Sequence, residues 1–184
     1  MVQVRTVKVP LEDEVLMELR AGEELLLEGM IYVARDAAHR RMFEALEQGL
    51  PLPFDIRGAA VYYMGPSPAR EGNVIGSAGP TTSGRMDAYA PLMIAKGLRT
   101  MIGKGPRAKE VRDAMVRYGA VYLGTVGGAG ALISRSIRKS RVIAYEELGP
   151  EAVRQLEVAD FPCVVINDIC GGDLYEAGKS RYRL

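Results

Sequence analysis

Residues Ser77 to Asp87 read SAGPTTSGRMD, and the rest of the chain can be ordered around them. Two glycines, a proline, a Thr-Thr-Ser run and one arginine stand directly before an apolar pattern of helical spacing. Gly79 and Gly84 allow sharp turns and close approach of a ligand, Pro80 stiffens the lead-in, and Thr81, Thr82 and Ser83 offer short donors and a helix N-cap. The spacing predicts a helix over roughly Ser83 to Lys96, whose unpaired N–H groups and positive dipole end point back at the loop. Arg85 then falls in the first helical turn. Helix polarity disfavours a cation there, so its presence suggests a bound carboxylate or phosphate. An ordinary strand-to-helix loop carrying a solvated arginine is the competing reading of the same residues.

Upstream, Val2 to Val9 alternates apolar and charged residues as a strand with one wet face does, and Pro10 ends it. Glu12 to Leu19 reads as a short helix, Ala21-Gly22 as a break, and Leu25 to Ala34 as a largely apolar strand. ARDAAHRRMFEALEQG then places Ala37, Met42 and Leu46 at helical spacing, closed by Gly49 as a C-cap. Arg35, Asp36 and His39 therefore lie at a strand-to-helix corner, with Asp36 as a helix cap and Arg35 and His39 as an i,i+4 pair. Ligands of open α/β sheets gather at such strand ends. A lone histidine there is more often structural than catalytic.

Arg57 to Gly65 contains another short strand, Pro66 to Gly72 a loop, and Val74 to Ala78 leads into the Ser77 stretch. Downstream, Arg99 to Gly103 reads as a buried strand ending at Lys104, a second strand-end cation. A helix over Ala108 to Tyr118, the strand AVYLGTV, a glycine cluster over Gly124 to Ala131 and a strand over Val142 to Tyr145 follow. A helix near Pro150 to Leu156 and the strand Cys163 to Asp168 complete the pattern. On that late helix Arg154 reads as an outward arginine, a natural comparison for Arg85. Strands alternating with helices argue for an α/β layer protein with a strand-richer opening portion.

The composition of the 184 residues, 48% hydrophobic, suits a single domain over 1–184 with a proper core. With 24 basic and 23 acidic residues mixed along the chain and a formal net charge of +1, there is no electrostatic case for nucleic acid. Only the last six residues, KSRYRL, are locally basic. Cys163 and Cys170 are too few for a disulfide framework, and with His39 as the single histidine no zinc set can be assembled. The default location is a reducing cytoplasm. The sequence shows no signal core and no run approaching the roughly 18 apolar residues of a membrane span.

Two nucleotide motifs fail on inspection. GPTTSGR has the glycine spacing of a phosphate-binding loop but ends in Arg-Met, without the Lys and the magnesium-binding hydroxyl. Gly124, Gly127, Gly128 and Gly130 do not give the dinucleotide spacing, and close packing or a flexible loop explains them better.

ARDAAHRR, GPTTSGRMD, the strand-end GKG, GTVGGAGALI and DFPCVVINDICGGDLY together resemble the beta subunit, or C-terminal domain, of class I iron–sulphur fumarate hydratases and the related L-tartrate dehydratases. The resemblance runs from about residue 10 to 178. It implies a swivelling β/β/α three-layer domain like the mobile domain of aconitases. It also implies an alpha subunit, in an alpha2beta2 assembly, whose three cysteines hold a 4Fe-4S cluster, with no metal on this chain. Alone, the chain is expected to be inactive and to self-associate as a homodimer.

By the same resemblance Arg35 and Arg85 bind the substrate carboxylates, Thr81 and Lys104 complete this side of the pocket, and Asp36 and His39 stand behind Arg35. Thr81, Arg85 and Lys104 are the implied catalytic residues, with Thr81 as proton carrier. The implied reaction is reversible hydration of fumarate to L-malate, in which the cluster's open iron polarises the substrate hydroxyl. Fixed cations stabilise the charge that builds on the carboxylate. Arginine forks suit carboxylates because they bind them bidentately. L-tartrate dehydration is the near alternative, and a non-catalytic dicarboxylate-binding or scaffold module the alternative of another class.

Overall fold

The computed structural model describes residues 4–183, so Val2 and Gln3 of the expected first strand lie outside the described residues. The strands are β1 (Arg5–Val9), β2 (Glu24–Val33), β3 (Ala60–Tyr62), β4 (Thr100–Gly103), β5 (Val121–Gly124), β6 (Ile137–Ala144) and β7 (Val153–Asn167). The helices are α1 (Asp13–Glu18), α2 (Asp36–Glu47), α3 (Ala90–Ala95), α4 (Lys109–Tyr118), α5 (Gly130–Ile133) and α6 (Leu174–Tyr182). β1 to β5 pair in parallel in that order. β7 then runs antiparallel to β5 and, along its length, to β2, which closes β2-β3-β4-β5-β7 into a small barrel-like ring. β6 hangs on β7 as an outer strand.

The ring needs a bend, and the pairing of β2 with β7 supplies one. Its register shifts between Leu27 and Gly29, opposite a β7 kink at Asp160, whose φ is +54°. Such an irregularity sharpens twist and lets a strand turn a corner. Gly29 is required there: its φ is +119°, and a Cβ would run into the Val9 carbonyl.

Alternation along the strands divides the core in two. Tyr62, Met64, Ile102, Leu123 and Val165 join Leu25, Leu27, Ile31 and Phe161 in one cluster enclosed by the ring. Val61, Tyr63, Met101, Tyr122 and Ile166 face the other way and meet Ala38 and Met42 of α2, Met93 and Ile94 of α3, and Val111 and Met115 of α4. The central strands are buried on both faces, which is why they read as continuous apolar runs.

Several expectations are corrected. The continuous helix over Ser83 to Lys96 is a 3-10 turn, Ser83–Met86, followed after a break by the six-residue α3. Ser83 donates its N–H to the Lys104 carbonyl, and the Asp87 carboxylate is taken by Arg107 and Ala108, so the segment is held sideways where a helix would continue. Pro91 restarts the helix near Ala90. The long helix expected to point its N-terminus at the Ser77 stretch is therefore not formed. The helix near Pro150 to Leu156 is absent: a turn over Glu146–Glu151 leads straight into β7. Residues 154–157 pair with β2 on one side and β6 on the other, and that pairing overrides their helix-forming composition. Arg154 is accordingly a half-buried strand residue rather than an outward helical one. The strand-rich portion is the closing one, and α6 takes Lys179 to Tyr182 of the basic stretch into a helix that the sequence pattern does not announce. Gln48 is the cap of α2, and Gly49 follows it with φ +67°. No helix among the described residues is long and apolar enough to cross a membrane.

Candidate functional site

Because β2, β3 and β4 are parallel neighbours, their carboxyl ends lie along one edge, and the residues that follow them meet there. Arg35 follows β2 by one residue, in extended conformation, and serves as the N-cap position of α2. Lys104 follows β4 directly and bridges to Thr82, while Pro80 bridges to Met64 beyond β3. The Thr81 N–H donates to the Tyr63 carbonyl at 2.7 Å. The Ser77 stretch thus folds back along the strand ends. Arg35 reaches across Gly65, where a Cβ would stand 2.7 Å from its Nη1. The glycine cluster packs against the same stretch: a Cβ on Gly130 would come within 2.7 Å of the Gly79 nitrogen.

Asp36 does not cap α2. Its carboxylate joins the two arginines, accepting from Arg85 Nε at 2.8 Å and from Arg35 Nε at 3.2 Å. Glu151 completes the corner, pairing with Arg35 Nη2 at 3.0 Å and accepting the Ala37 N–H at 2.8 Å. Two cations and two carboxylates therefore balance, and both terminal nitrogens of Arg85 stay uncommitted among the described residues. Lys104 makes no ion pair among them either, and the Thr81 hydroxyl has no hydrogen-bond partner among them. Glu151 was missed by the sequence reading, and no local pattern could have found it, since it meets Ala37 across a separation of 114 residues. The corner is open. A cavity of about 610 Å³ lies elsewhere, between the Ser67–Ser77 loop and the start of β6, and is lined by none of these residues.

His39 does not touch the Arg35 guanidinium. It is fully buried, edge-on to the Tyr63 ring at 5.0 Å, with Nδ1 3.3 Å from the Arg35 carbonyl oxygen. A bond to a carbonyl requires Nδ1 to carry the proton, which leaves Nε2 without a partner. Burial pushes its pKa down to about 4 from the ordinary 6.5, against the pull of the Arg35 carbonyl bond. The folded protein then binds fewer protons than the unfolded one between those values. Stability is full above pH 6.5 and is lost as pH falls towards 4, by about 3 kcal/mol. Urea unfolding across that window should show the slope, and His39→Phe should flatten it.

The described fold is an α/β domain whose charged corner sits at the ends of parallel strands. A family model described as Fumarase C-terminus matches residues 1–178, and the chain belongs to that family. It is 41% identical over 162 residues to Fumarate hydratase 2 of Leishmania major, covering 87% of this chain and 28% of that protein. With the aerobic class I fumarate hydratase of Escherichia coli K12 it shares 39% over 163 residues, covering 88% of this chain and 30% of that protein. A Methanocaldococcus jannaschii protein provisionally named L(+)-tartrate dehydratase subunit beta is 38% identical over 165 residues, covering 86% of this chain and 85% of its own length. The chain thus spans under a third of the fumarate hydratases named here, but most of that subunit.

An iron–sulphur cluster would need gathered thiolates, and these residues do not fit one. Cys163 is buried in the ring, its thiol pKa pushed far up by desolvation, and Cys170 is exposed on a turn. No group of three His, Cys, Asp or Glu suited to a metal occurs among the described residues.

Proposed function

We propose that this chain is the beta subunit, or the C-terminal domain, of a class I fumarate hydratase. In this reading it supplies the carboxylate-binding side of a site shared with a cluster-bearing alpha counterpart. The observation that carries the reading is the corner where Asp36 holds Arg35 and Arg85 together at the strand ends. Arg85 offers its two terminal nitrogens as a fork to one substrate carboxylate, and Lys104 adds a point charge. Their role is to bind the dicarboxylate, orient it, and stabilise the negative charge that grows on a carboxylate as the neighbouring carbon loses its proton. Thr81 is assigned that proton. A hydroxyl is a weak base, so the group that tunes it is placed on the counterpart.

Charge balance supports a shared site. Asp36 and Glu151 already neutralise the two arginines, so a dianion meets little uncompensated charge here beyond Lys104. The remaining cations, and the cluster, belong to the counterpart in this reading. We keep with it a single domain over 1–184, a cytoplasmic location, an alpha2beta2 assembly, and the swivelling β/β/α description, with the two walls of the ring as β layers and α2 to α4 as the third. The tartrate reading is favoured by one observation, the near full-length match to a separate subunit.

Co-expression with a cluster-bearing counterpart under anaerobic conditions, followed by turnover of fumarate, malate and tartrate, tests both readings. The purified chain alone is expected to be folded and inactive. Hydration of fumarate by the chain free of counterpart and iron would end the shared-site reading, as would failure of the two to co-elute.

A further inference from the structure

Lys104, at the strand ends beside the corner, has no carboxylate partner among the described residues, and its main chain is held by bonds from distant segments. The Lys104 N–H donates to Ser83 Oγ at 3.1 Å, and the Lys104 carbonyl accepts the Ser83 N–H at 2.8 Å. The Gly105 N–H donates to the Tyr175 hydroxyl at 3.2 Å, and the Gly105 carbonyl accepts from the Tyr122 hydroxyl at 2.9 Å. All four polar main-chain groups of the Lys104-Gly105 turn are thereby bound, three of them by side-chain hydroxyls. Gly105 makes the turn possible, because it adopts φ +80° without the steric cost another residue would meet.

Two of these bonds, with a third between the Ser83 and Tyr122 hydroxyls, form a directed path. Ser83 Oγ and the Tyr122 hydroxyl lie 2.8 Å apart. Tyr122 spends its only proton on Gly105, so Ser83 must donate to Tyr122 while accepting from Lys104. The path runs Lys104 N–H, Ser83 hydroxyl, Tyr122 hydroxyl, Gly105 carbonyl, each bond polarising the next. Ser83 and Tyr122 are fully buried, and the Arg107 guanidinium packs 5.0 Å from the Tyr122 ring. Gly103 is the residue that lets Ser83 in, since a Cβ there would overlap the Ser83 side chain and stand 3.2 Å from the Tyr63 ring.

We infer that Ser83, Tyr122 and Tyr175 are positioning residues for Lys104, fixing the turn that aims its ammonium at a substrate carboxylate. The inference rests on the proposed role of Lys104. None of the three hydroxyls needs to touch substrate. They act by holding the main chain from which the lysine projects, so a long flexible side chain starts from a fixed Cα–Cβ direction.

The test is a double-mutant cycle in the assembled enzyme. Tyr122→Phe and Tyr175→Phe are each made with Lys104 intact and with Lys104→Met, and kcat/KM for fumarate is read beside the unfolding midpoint. Each tyrosine change is expected to lower kcat/KM about five- to tenfold when Lys104 is present, the usual scale for one hydrogen bond, and to be silent when it is absent. A second readout needs no turnover: acylation of the Lys104 amine, followed by peptide mass spectrometry, should be blocked by fumarate. Blocking should require about tenfold more fumarate in either variant. Losses that persist undiminished in Lys104→Met, or tyrosine variants that match the parent, overturn the positioning role while leaving the function of Lys104 standing. A silent Lys104→Met overturns that function and this inference with it. Should Tyr122→Phe fail to fold, Tyr175→Phe, on a partly exposed face of α6, carries the test alone.

Discussion

Asp87→Ala is expected to destabilise the fold by about 3–5 kcal/mol, the scale for stranding one member of a buried ion pair. The Arg107 side chain is fully buried, its Nε donates to Asp87 Oδ1 at 2.7 Å, and its guanidinium lies between the Tyr63 and Tyr122 rings at 5.3 and 5.0 Å. Guanidinium does not shed its proton, so without Asp87 the charge keeps the two rings and the Met101 sulfur but has neither an anionic partner nor a neutral form. Asp87 Oδ2 also accepts the Ala108 N–H at 2.6 Å, which ties the Ser77 stretch to the start of α4. Asp87→Asn retains an acceptor for one donor and should fall between Ala and the parent. Arg107→Met should cost less than Asp87→Ala, because Asp87 is partly exposed and keeps the Ala108 bond. Urea unfolding of the three variants decides the matter: an Asp87→Ala loss under 1 kcal/mol would mean that Arg107 finds another partner, and the reverse ranking would place the burden on the arginine's packing.

That buried pair shows where sequence reading stops. The short parallel strands were legible because burial on both faces leaves an unbroken apolar run, as in Thr100–Gly103 and Val121–Gly124. α2 and α4 were legible from helical spacing. The stretch after Pro150 was not, because Glu, Ala, Arg, Gln and Leu favour helix in isolation, and only the strands on either side make residues 154–157 extended. The site divides the same way. Arg35 and Lys104 could be placed because residues following parallel strands share an edge. Arg85 was singled out for a helix start that does not exist. Its position is explained by the carboxylate of Asp36, a residue whose place at the start of a helical pattern suggests a cap. Glu151 and the Tyr122–Ser83 path depend on contacts between distant segments, which no spacing rule encodes.

Arg85→Lys is expected to lower kcat/KM in the assembled enzyme roughly ten- to a hundredfold. Arg85 has two tasks: its Nε binds Asp36 Oδ1 at 2.8 Å, and its two terminal nitrogens face outward without partners among the described residues. A guanidinium can do both at once because its donors are spread over a rigid plane. A lysine ammonium is one point charge. If it pairs with Asp36 it leaves the substrate, and if it reaches the substrate it leaves Asp36 holding Arg35 alone. Loss of one charge-assisted bond costs about 1.5–3 kcal/mol, which converts to that range of rate. Stability should barely change, since the Arg85 side chain is 51% exposed and exposed pairs contribute little. The comparison is Arg117→Lys, on the exposed face of α4, which should remain within about twofold of the parent. Asp36→Asn supplies the third arm: it keeps both arginines but weakens the bond that holds Arg85, so its loss should be smaller than that of Arg85→Lys and should appear mainly in KM. Equal activity in Arg85→Lys and Arg117→Lys would remove Arg85 from the carboxylate clamp and leave its pair with Asp36 as a purely structural contact.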